Sequence, residues 1–429
     1  MSAEGFSAWG RLGWPPAAEI LRLPSRSAPL PATAGTLLPY GNGRSYGDVC
    51  LNPGGALLAM RGLDRFIAFD ADTGVLVCEA GALLADILDV CVPRGWFLPV
   101  TPGTRHVTVG GAIANDVHGK NHHAAGSFGA HLRAFELLRS DGSRRRCAPD
   151  ENPAWFAATV GGLGLTGVVT WAELQLRRIA GNAVAVRNTR FTGLDAFFAL
   201  NAEAERQHEY AVAWIDCLAK TPRGVLIAGD HAATDLPAPR GERNLPLTPP
   251  FSLINETSLR AFNAVYYGKP WPARETVHHR PYFYPLDAVG RWNRLYGPRG
   301  FYQYQSAVPP AAAAAATAEM LAAIAESGQG SFLAVLKNFG ERPSPGLLSF
   351  PMAGTTLALD FPNRGAATLS LFERLDAIVL AAGGRLYPAK DARMPAATFR
   401  AGYPRLAEFS SFVDPKLSSG FWRRVMEQN

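Results

Sequence analysis

Three glycine-rich stretches fall within the first 170 residues of this chain, at 41–47, 102–111 and 161–167. Glycine admits positive φ and lets backbone N–H groups approach an anion closely, so loops of this kind are where phosphates sit. One such loop alone is an ordinary turn. Three of them bracketing a strand-rich region point to a large ligand wrapped by the chain. Two common nucleotide sites are excluded. The dinucleotide fingerprint needs a helix directly after its loop, and no helical pattern follows Gly47 for about 35 residues. A P-loop needs a Gly-Lys-Ser/Thr triplet, which the chain lacks.

The elements between the loops are short. Residues 35–40, 56–60, 65–70 and 75–80 read as strands, the last two joined by a hairpin at Asp72-Thr73-Gly74. Leu83, Leu84, Ile87, Leu88 and Cys91 share one face of a helix over 83–92, which Pro93 ends. Strands follow at 134–139 and 168–176, with Arg144-Arg145-Arg146 as the solvated flank of a hairpin at 141–143. The second half predicts helices over 191–207, 311–326 and 368–381, and strands over 210–215, 332–337 and 355–361. The six consecutive alanines in the middle helix reflect helix propensity, because Met320, Leu321 and Ile324 give it an apolar face. Residues 230–281 are rich in Pro, Arg and His without a period, which predicts a long surface excursion.

Composition sets the broad class. Of the 429 residues 48% are apolar and 18% charged, which excludes disorder and predicts two or three domains with extensive cores. The net charge of +6 favours anionic ligands but is no nucleic-acid footprint. No apolar run is long enough for a transmembrane helix, and the N-terminus lacks signal-peptide features. The expectation is a cytoplasmic protein with at most peripheral membrane contact. Cys50, Cys78, Cys91, Cys147 and Cys217 are scattered, without a CxxC pair, and read as reduced, buried thiols.

Residues 63–70 (Leu-Asp-Arg-Phe-Ile-Ala-Phe-Asp), 75–82, the Ser140-Asp141-Gly142 turn and 160–167 (Val-Gly-Gly-Leu-Gly-Leu-Thr-Gly) resemble the PCMH-type FAD-binding domain of the vanillyl-alcohol-oxidase superfamily. Within that superfamily, three stretches closely resemble the decaprenylphosphoryl-β-D-ribose 2′-oxidase family: 41–48 (Gly-Asn-Gly-Arg-Ser-Tyr-Gly-Asp), 102–113 and 116–123 (Asp-Val-His-Gly-Lys-Asn-His-His). The likeness extends through 213–216, 302–305, 336–340 and 384–391. The fold it implies is α+β. A two-subdomain FAD-binding domain would span 1–180, and an α+β substrate (cap) domain with an antiparallel sheet 181–380. Residues 381–429 would return to the flavin.

The resemblance also implies a site. Gly41, Asn42, Gly43, Arg44, Ser45, Tyr46 and Gly47 would hold the pyrophosphate and ribityl chain, with Gly103, Thr104, Thr108, Val109, Gly110, Gly111 and Ala112. Asn115, Val117 and His118 would line the isoalloxazine, Gly162 and Gly167 the adenosine side, and Tyr387 the flavin from the C-terminal stretch. Superfamily members that bind FAD covalently use a His where this chain has Arg44, so the resemblance implies non-covalent FAD. His118 and Lys390 would surround the reacting hydroxyl, with either as base. Tyr46, Lys120, Trp214, Tyr284, Gln305, Lys337 and Lys390 would line the substrate pocket.

Read without the resemblance, these residues carry ordinary alternatives. His118, His122 and His123 could be metal ligands, but no carboxylate or Cys completes a set, and His122 and His123 read as surface or structural residues. Lys337 in mid-strand would by default face outward, and Lys390 would form a surface ion pair with Asp391. The family carries a Cys where this chain has Ala358, and an Asn at Thr356, so thiol-directed attack is impossible here and part of the pocket wall differs. Leu247, Phe251, Leu253, Tyr266, Tyr267 and Trp271 are candidates for an apolar groove.

The implied activity is FAD-dependent oxidation of a secondary hydroxyl of a pentose, prenyl-phosphoryl or otherwise activated. A partner NAD(P)H-dependent reductase would complete a 2′-epimerisation. A soluble sugar, alditol or aldonolactone oxidase, or a non-catalytic flavoprotein, are the alternatives.

Overall fold

Alternation decides the first large sheet. Along Val168–Gln175 every second side chain is buried, so one face packs inward and the other stays wetter. The structure, a computed structural model, describes residues 5–426. Strands β1 (Glu19–Arg22), β2 (Leu37–Tyr40) and β3 (Ala56–Ala59) form a small parallel sheet in the order β1-β3-β2. After β4 (Phe66–Asp70) and β5 (Val75–Glu79), paired across the expected hairpin, comes α1 (Leu84–Cys91). Leu84, Ile87, Leu88 and Cys91 of α1 face the core. Next are β6 (Trp96–Phe97), α2 (Val109–Ala114), α3 (His122–Ala125), β7 (Leu132–Leu138), β8 (Arg144–Cys147), α4 (Pro153–Thr159), β9 (Val168–Gln175) and β10 (Arg177–Arg178). A five-stranded antiparallel sheet runs β4-β5-β9-β7-β8.

The second half is dominated by another sheet. It contains β11 (Ala183–Thr192), β12 (Tyr210–Ile215), β13 (Arg223–Ala232), β14 (Arg274–His278), β15 (Phe301–Val308), β16 (Val335–Phe339), β17 (Gly354–Pro362) and β18 (Arg385–Leu386). Their order is β14-β11-β13-β12-β16-β17-β15-β18, antiparallel throughout. Helices α5 (Leu194–Gln207), α6 (Glu256–Gly268), α7 (His279–Phe283), α8 (Ala313–Ser327) and α9 (Ala366–Ala381) accompany it. Met320, Leu321 and Ile324 of α8 are buried in the core they share with Phe361 and Phe372. The chain ends in α10 (Ala396–Gly402), α11 (Leu406–Ser410) and α12 (Gly420–Met426). These elements make an α+β molecule. No helix among the described residues is long and apolar enough to cross a membrane.

Three local expectations change. The helix expected from 191 begins at Leu194: Phe191 and Thr192 remain in strand register with Gly224 and Arg223, and Gly193 at φ 88° breaks the chain between. The strand expected over 332–337 is Val335–Phe339. The 230–281 stretch is partly regular: it holds α6, opened by a reciprocal Asn255–Ser258 cap, and β14, paired to β11.

The C-terminal stretch reaches the first glycine loop through the backbone. Tyr387 N–H donates to Gln305 O at 3.0 Å and Tyr46 N–H to Ala389 O at 3.0 Å. This brings residues 46, 305 and 387–390 to the wall of one cavity of about 900 Å³.

Candidate active site

The cavity wall is built from all three glycine loops. Gly41 lies so close to Thr108 that a Cβ would meet its Oγ1 at 2.4 Å. That Oγ1 also accepts from Gly111 N–H at 3.1 Å and caps α2, while Asn42 Nδ2 donates to His106 O at 2.7 Å. The loops are thereby locked face to face. Arg44 lines the cavity with its guanidinium 4.3 Å from the Trp9 ring centroid. It has no carboxylate within ion-pair distance among the described residues, and its Nε is buried without a partner. Burial pulls its pKa down. The backbone N–H groups of Asn42, Gly43 and Ser45 likewise have no protein acceptor among the described residues. A half-buried cation with a buried, unpartnered Nε, beside uncommitted N–H donors in a cavity of this size, fits a phosphate-bearing cofactor.

The structure brings most of the expected residues to this wall: Gly41, Asn42, Gly43, Arg44, Ser45 and Tyr46 from the first loop, and Gly103, Thr104, Thr108, Gly110 and Gly111 from the second. Asn115, Val117, His118, Lys120, Gly167, Trp214, Gln305, Lys337, Tyr387 and Lys390 complete the group. Five expected residues stand behind it. Gly47 packs where a Cβ would meet Asp391 O at 2.0 Å, and Gly162 where it would meet Ala158 O at 2.2 Å. Val109 and Ala112 are buried in the core beneath the first sheet. Tyr284 is buried, its hydroxyl 2.7 Å from Thr101 Oγ1, and Thr101 is what borders the cavity. The N–H groups of Val109 and Gly110 are spent on Ala82 O and Ala80 O, so α2 meets a ligand through its surface.

Three lysines, His118 and Gln305 crowd another part of the wall. Lys337 Nζ lies 2.9 Å from His118 Nδ1 and also donates to Gly119 O. His118 Nε2 is 3.1 Å from Gln305 Nε2, which reaches Thr356 Oγ1 at 3.2 Å. Lys120 donates to Tyr282 O and sits 4.3 Å from that ring's centroid. Burial brings the Lys120 and Lys337 ammonium groups down to about 7. Lys390 lies 4.2 Å from the Tyr46 ring centroid. Burial lowers its pKa against the opposing pull of Asp360, whose carboxyl burial raises and which Gln303 holds at 2.8 Å. Lys337 therefore does not face outward. Asp391 belongs to Arg424, at 3.0 Å, rather than to Lys390.

The loop carrying His118 is held by Asp116, at φ 39° and fully buried. Its carboxylate accepts from Gly129 N–H at 2.8 Å and Ser349 Oγ at 2.5 Å. His122 is buried, with no hydrogen-bond partner for either ring nitrogen among the described residues, against the Phe339 ring at 4.7 Å. His123 meets His208 O at 3.0 Å. Ala358 and Thr356 line the cavity, as do Tyr266 and Trp271. Leu247, Phe251 and Leu253 are instead exposed, at 77%, 66% and 41%, and Tyr267 packs under Arg223.

Sequence reasoning missed several wall residues. Trp9 comes from the N-terminal segment, Gln303 is a strand neighbour of Gln305, and Glu242 and Asp287 flank His106 at 2.7 and 3.9 Å. For Gln303 a signal existed, because residues two apart on a strand share a face. For Trp9 there was none.

A family model described as an FAD binding domain matches residues 31–148, so the two-sheet α+β frame with its phosphate-fitting cavity is that of an FAD-binding oxidoreductase. The chain is 39% identical over 399 residues to the decaprenylphosphoryl-β-D-ribose oxidase of Mycolicibacterium smegmatis, covering 87% of this chain and 85% of that protein. An uncharacterized protein of Streptomyces coelicolor is 36% identical over 77% of this chain and 95% of its own. An alditol oxidase of a Streptomyces species is 31% identical over 31% of this chain and 32% of its own. The chain belongs to the decaprenylphosphoryl-β-D-ribose oxidase family, and it is an FAD-dependent oxidoreductase acting on CH–OH groups.

Proposed function

We propose that the protein oxidises a secondary hydroxyl of a phosphate-linked pentose to a ketone, as the oxidase half of a 2′-epimerisation. The observation that carries this reading is the placing of Lys337 and Lys390 beside His118, with Lys120 next to Lys337. Among the described residues Lys120 bonds to one carbonyl, that of Tyr282, which leaves its charge free for a sugar phosphate. Bound FAD supplies the hydride acceptor. Its pyrophosphate would lie against Arg44 and the 41–47 loop, held without a covalent bond because a guanidinium at that position cannot form the superfamily's histidyl link.

His118 and Lys390 are the catalytic residues in this reading. Both reach the same end of the cavity, and one draws off the hydroxyl proton while the other stabilises the developing alkoxide. Trp214, Gln305 and Lys337 orient the sugar, and Tyr266 and Trp271 offer apolar surface to a prenyl chain. Tyr46 floors the pocket under Lys390. Residues 1–180 would form the FAD-binding domain, 181–380 the substrate domain, and 381–429 the stretch that returns Tyr387 and Lys390 to the flavin. A keto product implies an NAD(P)H-dependent reductase partner, and a prenyl substrate implies peripheral membrane contact.

The small wall residues Thr356 and Ala358, with the partial likeness to an alditol oxidase, favour a soluble sugar or alditol as the second reading. Product trapping separates the two. Incubation with a short-chain prenylphosphoryl-β-D-ribose followed by borodeuteride reduction should place deuterium at C2 of the pentose. Deuterium only in products of free alditols or sugars would transfer the protein to the second reading.

A further inference from the structure

The hydrogen bonds around His118 restrict where its proton can be. Lys337 Nζ approaches Nδ1 at 2.9 Å and the Gln305 amide approaches Nε2 at 3.1 Å. A neutral imidazole has one N–H and one lone pair, so it cannot accept from both neighbours. If Lys337 is an ammonium, Nδ1 must be bare, Nε2 carries the hydrogen, and the Gln305 amide has to turn its oxygen toward it. If Lys337 is a neutral amine, its lone pair accepts from Nδ1–H, Nε2 is bare, and Gln305 donates to both Nε2 and Thr356 Oγ1. Only the second state satisfies every contact as it stands, including the bond from Lys337 to Gly119 O.

We propose that Lys337 is a positioning residue that holds His118 as the Nδ1–H tautomer and takes up that proton when Nε2 accepts one from the substrate hydroxyl. The inference rests on the reading that His118 meets the reacting hydroxyl. The transfer balances without electrons: the hydroxyl proton bonds to Nε2 in place of the Gln305 hydrogen bond, the Gln305 amide turns its oxygen to the new Nε2–H, the Nδ1–H bond breaks, and its proton ends on Lys337 Nζ. The imidazole starts and finishes neutral, and the charge comes to rest on the amine beside Gly119 O.

The surroundings explain why a relay is needed. Facing the pair are Lys120 and His122 from the loop and α3, with Arg342 beyond His122, and Lys390 and Tyr387 from the C-terminal stretch. Gln305 of β15, Thr356 of β17 and the rings of Phe339 and Phe350 complete the shell. None of these is a carboxylate. Burial, with Lys337, His122 and Lys390, holds the imidazole well below its usual range, so a lone imidazolium is costly. Burial and then Lys120 bring Lys337 down to about 7, where the neutral amine is accessible.

Two measurements on the FAD-loaded protein test this. In ¹⁵N-histidine-labelled enzyme without substrate, assigned by loss of one signal in His118→Gln, His118 should be Nδ1–H above pH 7. It should exchange tautomer as pH falls through about 7, without an imidazolium signal. Lys337→Met should abolish the exchange. One unchanging tautomer in the wild type, or an exchange that survives in Lys337→Met, overturns the proposal. In flavin reduction by a short-chain prenylphosphoryl-β-D-ribose, Lys337→Arg, a permanent cation, should lose about 10²–10⁴-fold in rate together with the acid limb of the pH profile. Wild-type rates in Lys337→Arg would mean a fixed charge suffices and would also overturn it. Failure of the wild type to react with this probe would count against the substrate reading alone, since the tautomer measurement needs no substrate.

Discussion

Lys390 rests on the Tyr46 ring with Asp360 behind it, and Lys120 hangs from a single carbonyl above Tyr282. Each has a different consequence. Replacing Lys390 with Met should cut the rate of substrate-driven flavin reduction by about 10²-fold or more while the bound-flavin spectrum persists, if it serves the reacting hydroxyl. For Lys120 the readout is stability. Its folded pKa, about 7, lies below the roughly 10.4 of an unfolded lysine. Between those values the unfolded chain binds more protons, so this residue's contribution to stability rises with pH across that window. Lys120→Met removes the contribution, and its advantage over the wild type in denaturation should therefore shrink as pH rises from 7 to 10. An advantage that grows would contradict the burial argument. At this scale the motif around 102–123 pointed to His118 and Lys120, and the 384–391 stretch to Lys390. Gln303 shares a strand face with Gln305 and carried a signal, whereas Asp360 did not, since only the pairing of β15 with β17 brings it to Gln303 and into range of Lys390.

The first glycine loop and the C-terminal stretch act as one element in space. Gly47 touches Asp391 O closely enough that any Cβ would collide with backbone at 2.0 Å. Gly47→Ala should cost about 1–3 kcal/mol through overpacking, measured by denaturant unfolding, and should weaken FAD retention because Tyr46 and Ala389 are pushed apart. Strands with clean alternation, such as β9, and helices with a full apolar face, such as α1, were legible because their periods are unambiguous. Helix α6 was not. Its apolar residues include Phe262 and Val265, which stay exposed, and the Pro- and Arg-rich flanks hid the period. The Asn255–Ser258 cap was the available signal. At the start of α5, Phe191 fits an apolar helix face as well as the inner face of β11, and pairing with β13 decided it.

Across the whole molecule, ion pairs clasp α12 to the first glycine loop and the 387–391 stretch. Arg424 of α12 reaches Asp48 at 2.7 Å and Asp391 at 3.0 Å, both carboxylates nearly fully buried. Arg424→Ala leaves two buried anions without their partner and should cost about 3–5 kcal/mol in denaturant unfolding. A loss under 1 kcal/mol would show that the clasp is structurally idle. The antiparallel sheet of the second half followed from the family likeness, whereas this clasp joins residues more than 370 positions apart and leaves no local pattern. Non-covalent cofactor binding belongs to this scale as well: acid denaturation should release all the FAD into the supernatant, and flavin that stays with the protein would refute the part given to Arg44.

Anaerobic reduction of the purified flavoprotein is the most direct test of the account. A short-chain prenylphosphoryl-β-D-ribose, free pentoses, alditols and aldonolactones are each added while the visible flavin band is followed. The account predicts bleaching by the phosphate-linked pentose and not by the neutral sugars. Bleaching by neutral sugars alone, or by none of the panel, would contradict it.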